Sequence, residues 1–205
     1  MAAPGLTSAI RAEGFQNLQL NAGVFVENLD YSAITTVAAL KTAVAALIAS
    51  GDTLGMTRGG GSFTITREIR TPEVDGRRYA FKGDKFVDSC DGYLSGTLLE
   101  ATPANIKRLF STAEVTTSGA KTTITFHTAV DPDTDYIDHL CWVGDLANGG
   151  FVIVEIDNAF NTADFSMTFQ DKNEATLPFE FHAHQGDVLD YDTAPCRVIF
   201  FEETT

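Results

Sequence analysis

The chain has 205 residues, 44% of them hydrophobic, and a formal net charge of −14 at pH 7, which suits a single domain over 1–205 with one full core. Such acidity argues against nucleic-acid binding through a basic face, because counterion release requires one. Three cysteines, Cys90, Cys141 and Cys196, fit neither a fully paired disulfide framework nor a zinc motif, and are expected to be buried, inert thiols.

The charge is unevenly placed. From Thr122 to Thr205 there are sixteen acids and two bases, Lys172 and Arg197, whereas the twelve acids and twelve bases before them cancel. Seven of the fourteen bases (Arg58, Arg67, Arg70, Arg77, Arg78, Lys82 and Lys85) fall in one stretch. A basic segment on an acidic body can steer a second copy head to tail, and heterologous contacts of that kind make rings or filaments. The competing reading is a solvated loop whose arginines pair locally.

Taken in chain order, the first residues carry Arg11 and Glu13 where an export signal needs an unbroken apolar run, so the chain is expected to stay in the cytosol where it is made. Residues 15–26 alternate loosely and predict a strand or two short ones, with a turn at Asn21-Ala22-Gly23. Asp30 or Ser32 is expected to cap a helix through Ser50, with Ile34, Val37, Leu40, Val44, Leu47 and Ile48 on one face and a stop at Gly51. The stretch from Ala33 to Ala49 is alanine-rich and interrupted by Lys41, so no membrane insertion is expected. Five glycines between Gly51 and Gly61 predict a pliable linker outside any regular element.

SFTITREI then predicts a strand through Phe63 and Ile65 with a break at Glu68, leading into an extended hairpin arm at about 66–82 whose turn residues are Pro72, Asp75 and Gly76. KFVDSCDGYLSGTLLEA reads as the returning strand. Thr102-Pro103 opens a short helix with Ile106, Leu109 and Phe110 on its apolar face. A hairpin around Ser118-Gly119 follows, then FVIVEID, apolar enough to be buried on both faces. DFSMTFQD predicts a strand with Phe165, Met167 and Phe169 on one side, joined by the tight turn DKNE to a strand placing Leu177, Phe179 and Phe181 inward and Glu180, His182 and His184 outward. PCRVIFFEE closes the chain. The fold class is mainly β: about eight strands in a sandwich or barrel of packed antiparallel sheets, with one long flanking helix and one short one.

Few residues suggest chemistry. Asp131, Asp133 and Asp135 resemble the start of a calcium loop, but Tyr136 stands where the turn needs glycine and Trp142 where a bidentate glutamate belongs. His182 and His184 share a strand face near Asp187, which could begin a metal site and, with it, a hydrolase. His127 and His139 have no partner legible in the sequence. No nucleophile elbow or phosphate loop is present, so no enzyme activity, catalytic residue, metal or cofactor is expected.

The segments FTITREIRTPEVDGRRYAFKGD, DGYLSGTLLEATPANIKRLF and DYIDHLCWVGDLANGGFVIVEIDNAFNTADFSMTFQDKNEATLPFEFHAHQ together resemble the major tail tube proteins of long-tailed bacteriophages. The resemblance implies a fold of packed β-sheets with a flanking helix, in a structural virion protein forming homohexameric rings that stack into a hollow tube for DNA passage. It further implies localisation to the virion tail after assembly in the host cytoplasm, with tape measure, tail terminator and tail-tip proteins as partners. Carried over by position, Thr71, Pro72, Glu73, Val74, Asp75, Gly76, Arg77 and Arg78 would form the ring-stacking arm, and Asp171, Lys172, Asn173 and Glu174 a hairpin at a ring edge. The competing readings are a host-glycan-binding tail-tip or decoration module, for which the lone Trp142 is the aromatic, and the inner tube of a contractile injection machine.

Overall fold

The computed structural model describes residues 18–19, 21–169, 171–186, 190 and 192–202. Within them the chain is mainly β, with nine strands and two helices, one strand more than expected. The strands are β1 (Val24–Glu27), β2 (Thr57–Arg70), β3 (Phe86–Leu98), β4 (Ala113–Ser118), β5 (Lys121–Phe126), β6 (Ile137–Asp145), β7 (Phe151–Asn161), β8 (Leu177–His182) and β9 (Cys196–Phe201). The helices are α1 (Val37–Ser50) and α2 (Pro103–Leu109). Seven strands pair along the path β1-β6-β7-β8-β3-β2 with β9 on the free side of β7, while β4 and β5 form a separate hairpin.

The centre is β7, as its sequence requires: Phe151 to Ile156 are all buried. Its first part pairs with both β6 and β9, and only its last residues reach β8, through Phe160–His182 and Asn161–Phe181. Two groups of strands, β1-β6-β7-β9 and β8-β3-β2, therefore meet at one end of β7 and share an apolar core. Phe25, Leu140, Val154 and Ile156 of the first group pack with Leu94, Leu98, Leu177, Phe179 and Phe181 of the second. The rings of Phe25 and Phe179 meet edge to face at 5.2 Å, a geometry that favours aromatic pairs.

The two-residue period puts the alternate side chains of β1, β6 and β7 on the opposite face, where α1 lies. Val26, Cys141, Val143, Phe151 and Ile153 form a second cluster with Val37 and Leu40. Full burial of a side chain such as Leu40 stabilises by about 1.5–3 kcal/mol. The helix cap is Thr36, whose side chain accepts from the Ala39 N–H at 3.2 Å, not Asp30 or Ser32. Asp30 instead closes a local turn, accepting from the Ser32 N–H at 3.0 Å and its hydroxyl at 2.6 Å. The stop at Gly51 is as read, with φ 86°. Ile48 is half exposed, so the buried stripe is narrower than the sequence suggested. Among the described residues no helix is long and apolar enough to cross a membrane.

Two further expectations change, and a third is met in the described residues. The glycine run is not a linker: Gly59, Gly60 and Gly61 lie inside β2, where the register against β3 shifts between Thr57 and Gly61. Gly59 and Gly60 adopt φ 75° and 74°, and a Cβ on Gly61 would lie 2.6 Å from the Phe25 ring, so this bulge exists because side chains are missing. Of DFSMTFQD, Asp164 to Phe169 form no strand, and Gln170 lies outside the described residues. Phe165 and Met167 pack against the core as loop residues, Phe169 is exposed, and only a Thr168–Thr176 bridge survives. Of residues 15–26, only β1 and a Gln19–Leu146 bridge are extended pairing, the Asn21-to-Gly23 turn being present and residues 15–17 and 20 lying outside the described residues. The short helix forms as read, with Thr102 accepting from the Asn105 N–H at 3.1 Å.

Candidate functional site: the hairpin arm and the charged surfaces

The β2–β3 ladder runs well past the core. Phe63, Leu94 and Leu98 anchor its inner half, whereas Arg67 to Arg70 and Phe86 to Cys90 are exposed. Near the expected break a register shift falls between Glu68 and Ile69, and the ladder continues to Arg70–Phe86. Arg70 closes it, donating to Asp88 at 2.9 Å and lying 5.8 Å from the centre of the Phe86 ring.

The loop from Thr71 to Lys85 is organised around one side chain. Arg77 is three-quarters or more buried and donates to the Tyr79 carbonyl at 3.0 Å, the Pro72 carbonyl at 3.0 Å and the Asp84 carboxylate. Asp84 also accepts from the Phe81 N–H at 3.0 Å, and Lys85 donates to Thr71 at 2.6 Å. Gly76, at φ 79°, sits in the turn that the Arg77 N–H closes onto Val74. The carbonyl-satisfying hub makes Arg77 a structural residue of the arm, while Arg78 is exposed, so the two arginines are not equivalent. Local pairing also claims Arg58 and Arg70, leaving Arg67, Arg78 and Lys82 as exposed cations. Around the hub, Val74, Tyr79, Phe81, Phe86 and Val87 present apolar surface, Tyr79 being 80% exposed.

The turn Asp171 to Glu174 is formed with Lys172 at φ 61°. It does not meet the arm. Leu98 pairs with Leu177 and Arg58 with Glu174, so the turn sits beside the start of β2 and the arm leaves from its end. A 14-residue strand separates the two by about 40 Å at ~3.3 Å per residue. Glu174 is tied to its own chain: its own backbone N–H, then Arg58, hold the carboxyl below its usual range.

Two charged surfaces flank these segments. The outer face of β2-β3-β8 carries Thr64, Thr66 and Glu68, then Asp91, Tyr93 and Ser95, then Glu180 and His182, by the alternation opposite Leu94 and Phe181. These eight residues include three acids and no lysine or arginine, and Arg70, two residues past Glu68 on the same face, is paired with Asp88. His182 stacks on Tyr93 at 5.0 Å and lies 2.9 Å from Asp91 and 3.0 Å from Glu180. Burial disfavours its charged form, but the two carboxylates outweigh that and raise its pKa. His184 instead lies past the strand end against backbone carbonyls of Asn158 and His182 at 3.1 Å, and Asp187 is outside the described residues. His182 and His184 therefore do not converge on a shared position.

The second surface was missed in the sequence. His139 on β6, Glu155 and Asp157 on β7 and Arg197 on β9 lie in one row on the α1 side. The His139 Nδ1 is 3.0 Å from both carboxylates, the Arg197 Nε is 3.2 Å from Glu155, its Nη2 donates to Asp157, and the Tyr31 hydroxyl donates to Glu155. Glu155 is 3% exposed. Burial first, then the Glu155 charge, push the Tyr31 hydroxyl pKa up, and the same causes push the Cys141 thiol up to about 12. Donor atoms of His139, Glu155 and Asp157 lie within 4.8 Å of one another, a spacing a metal ion could use, yet the guanidinium already bridges both carboxylates. The legible signal was an acid inside FVIVEID: a buried carboxylate needs a partner, and Arg197 is one of only two bases after Lys121.

The remaining expectations resolve simply. Asp131 and Asp135 accept the backbone N–H groups of Asp133 and Asp131 at 3.0 and 2.8 Å, an acidic turn closed on itself. His127 pairs with Glu114 at 3.3 Å. Trp142 donates to the Ala22 carbonyl at 2.9 Å and fills the space that side chains at Gly23 and Gly144 would take, so its ring is partly covered. Of the cysteines only Cys141 is buried, Cys196 being half-buried and Cys90 exposed, which corrects the expectation of three inert thiols. Compared with models of known protein families and with curated proteins, the chain matches none.

Proposed function

We propose that this chain is a structural subunit that assembles with copies of itself into stacked rings, forming a hollow tube of the phage tail type. The observation that carries the reading is the β2–β3 arm: a hairpin built beyond its own core, with Val74, Tyr79, Phe81 and Phe86 gathered at its exposed end. Apolar surface so grouped is an association site or a liability, and a neighbouring copy turns the second into the first. The arm and the Asp171–Glu174 turn leave opposite ends of one hairpin, as head-to-tail stacking needs. The open edges of β2 and β9 are left for neighbours to cover. In this reading six copies close each ring, and the acidic outer face of β2-β3-β8, whose Arg70 is already paired with Asp88, lines the bore, where DNA slides without phosphate-binding contacts. Tape measure, terminator and tip proteins meet the tube at its core and ends, within the virion tail.

Negative-stain microscopy of the purified chain, alone and in cells making a complete tail, tests this. Tubes are expected, and Tyr79→Ser with Phe81→Ser should abolish stacking while the monomer melts as before. Monodisperse monomers in every condition, with no tubes in the complete system, would overturn it. The glycan-binding reading has less support, because the Trp142 ring is held against its own chain.

A further inference from the structure

Two of the three thiols lie between the same pair of elements. Cys196 opens the edge strand β9 and pairs with Ile156, so by alternation it points to the inner side of the sheet. Its sulfur lies 2.7 Å and its Cβ 3.3 Å from where a Cβ on Gly92 would stand. A side chain at Gly92 would thus displace the thiol, and the glycine provides its seat on β3. Cys90 is two residues before Gly92 on the same strand, hence on the same face, about 7 Å along it. Cys90 is exposed and Cys196 half-buried, and burial followed by the neighbouring Cys90 raises the Cys196 thiol pKa.

We infer that Cys90 and Cys196 are a latent cross-link, which a peroxide oxidant closes into an intrachain disulfide joining the arm-bearing hairpin to the edge strand β9. Both backbones can move to reach the required Cα separation of about 4.4–6.8 Å: Cys90 belongs to the exposed outer half of the ladder, and Cys196 is the first residue of a strand paired on one side. Cys90, the accessible thiol, reacts first. Its thiolate attacks one peroxide oxygen, an S–O bond forms, the O–O bond breaks, and hydroxide leaves to take up a proton as water. Cys196 then attacks the sulfenic sulfur, the S–S bond forms, the S–O bond breaks, and a second water leaves with the Cys196 proton. The thiols lose two electrons and two protons, and the peroxide is reduced to two waters. Cys141 is buried on the α1 side, takes no part and serves as an internal control. The inference does not depend on ring or tube formation.

The experiment treats the folded full-length chain, dilute, with stepwise hydrogen peroxide, then denatures it in iodoacetamide and maps peptides by mass. The expected result is a monomer lighter by two hydrogens before alkylation, one alkylated cysteine (Cys141) in place of three, and a linked peptide pair containing Cys90 and Cys196. Thermal melting should rise on oxidation and return with dithiothreitol, and Cys90→Ser and Cys196→Ser should each remove both effects. Added oxygen on Cys90 with Cys196 still alkylated, covalent dimers through Cys90, or no reaction at either thiol would each overturn the inference.

Discussion

The inner and outer halves of the β2–β3 hairpin share one ladder and differ in what lies behind it. In the inner half, Leu94 and Leu98 are 2% and 0% exposed among the core residues of both strand groups. In the outer half, Phe86 and Val87 are 51% and 56% exposed, and the loop is held by Arg77 and its three acceptors. Hydrogen bonds alone contribute modestly because water competes for both partners. The inner half therefore carries the stability of the fold, and the outer half is stable only as an extension of it, with its apolar surface left for contact elsewhere.

The largest effect should come from breaking the inner half. Leu94→Ala leaves a cavity under the sheet and should cost about 2–5 kcal/mol, seen as a lower urea midpoint with an unchanged slope. Equal loss from Phe86→Ala would contradict the distinction drawn between the halves. Next comes Arg197→Met, which leaves Glu155 without its cation on the central strand. A loss of about 1–3 kcal/mol is expected, reduced by the half-exposed position of Arg197, because water can approach where the guanidinium stood.

In the outer half, Arg77→Ala and Arg78→Ala should separate. The first should raise amide hydrogen exchange from Thr71 to Lys85 with global stability changed by less than about 0.5 kcal/mol, and the second should alter neither. Loop protection unchanged in Arg77→Ala would mean that the hub is not what orders the arm. The smallest effect belongs to the outer face of the inner half. The His182 pKa is raised in the folded state, so its contribution is fully present below the ordinary histidine pKa of about 6.5 and is lost as pH rises through the folded value. Thermal melts from pH 5 to 9 should therefore show wild type ahead of His182→Gln at the acid end, with the gap closing upward. A gap that widens with pH would reverse the assigned sign.

Where a local rule needed only neighbouring residues, reading the sequence worked. Thr102-Pro103 capped α2, Gly51 ended α1, Ser118-Gly119 turned β4 into β5, and the apolar run of β7 marked a strand buried on both faces. Reading failed where distant residues decided. The glycine run had the composition of a linker, yet the Phe25 ring against Gly61 and the pairing with β3 made it a bulged strand. DFSMTFQD alternated as a strand does, but among the described residues Asp164 to Phe169 form no ladder with the neighbouring strands. Thr36 displaced the better cap residues because Asp30 was engaged with Ser32.

The candidate site divides in the same way. Turn chemistry and composition are local properties, so the residues alone were enough to place a Pro/Asp/Gly turn in a basic stretch and the excess negative charge after Lys121. Long-range packing and pairing were needed to turn Arg77 into the loop and Arg78 out of it, to set the arm and the Asp171–Glu174 turn at opposite ends of one ladder, and to bring His139, Glu155, Asp157 and Arg197 into a row. Those outcomes depend on strand order and register, which bring residues from three strands to one position, and one-dimensional periodicity gives each strand its faces without giving it its neighbours.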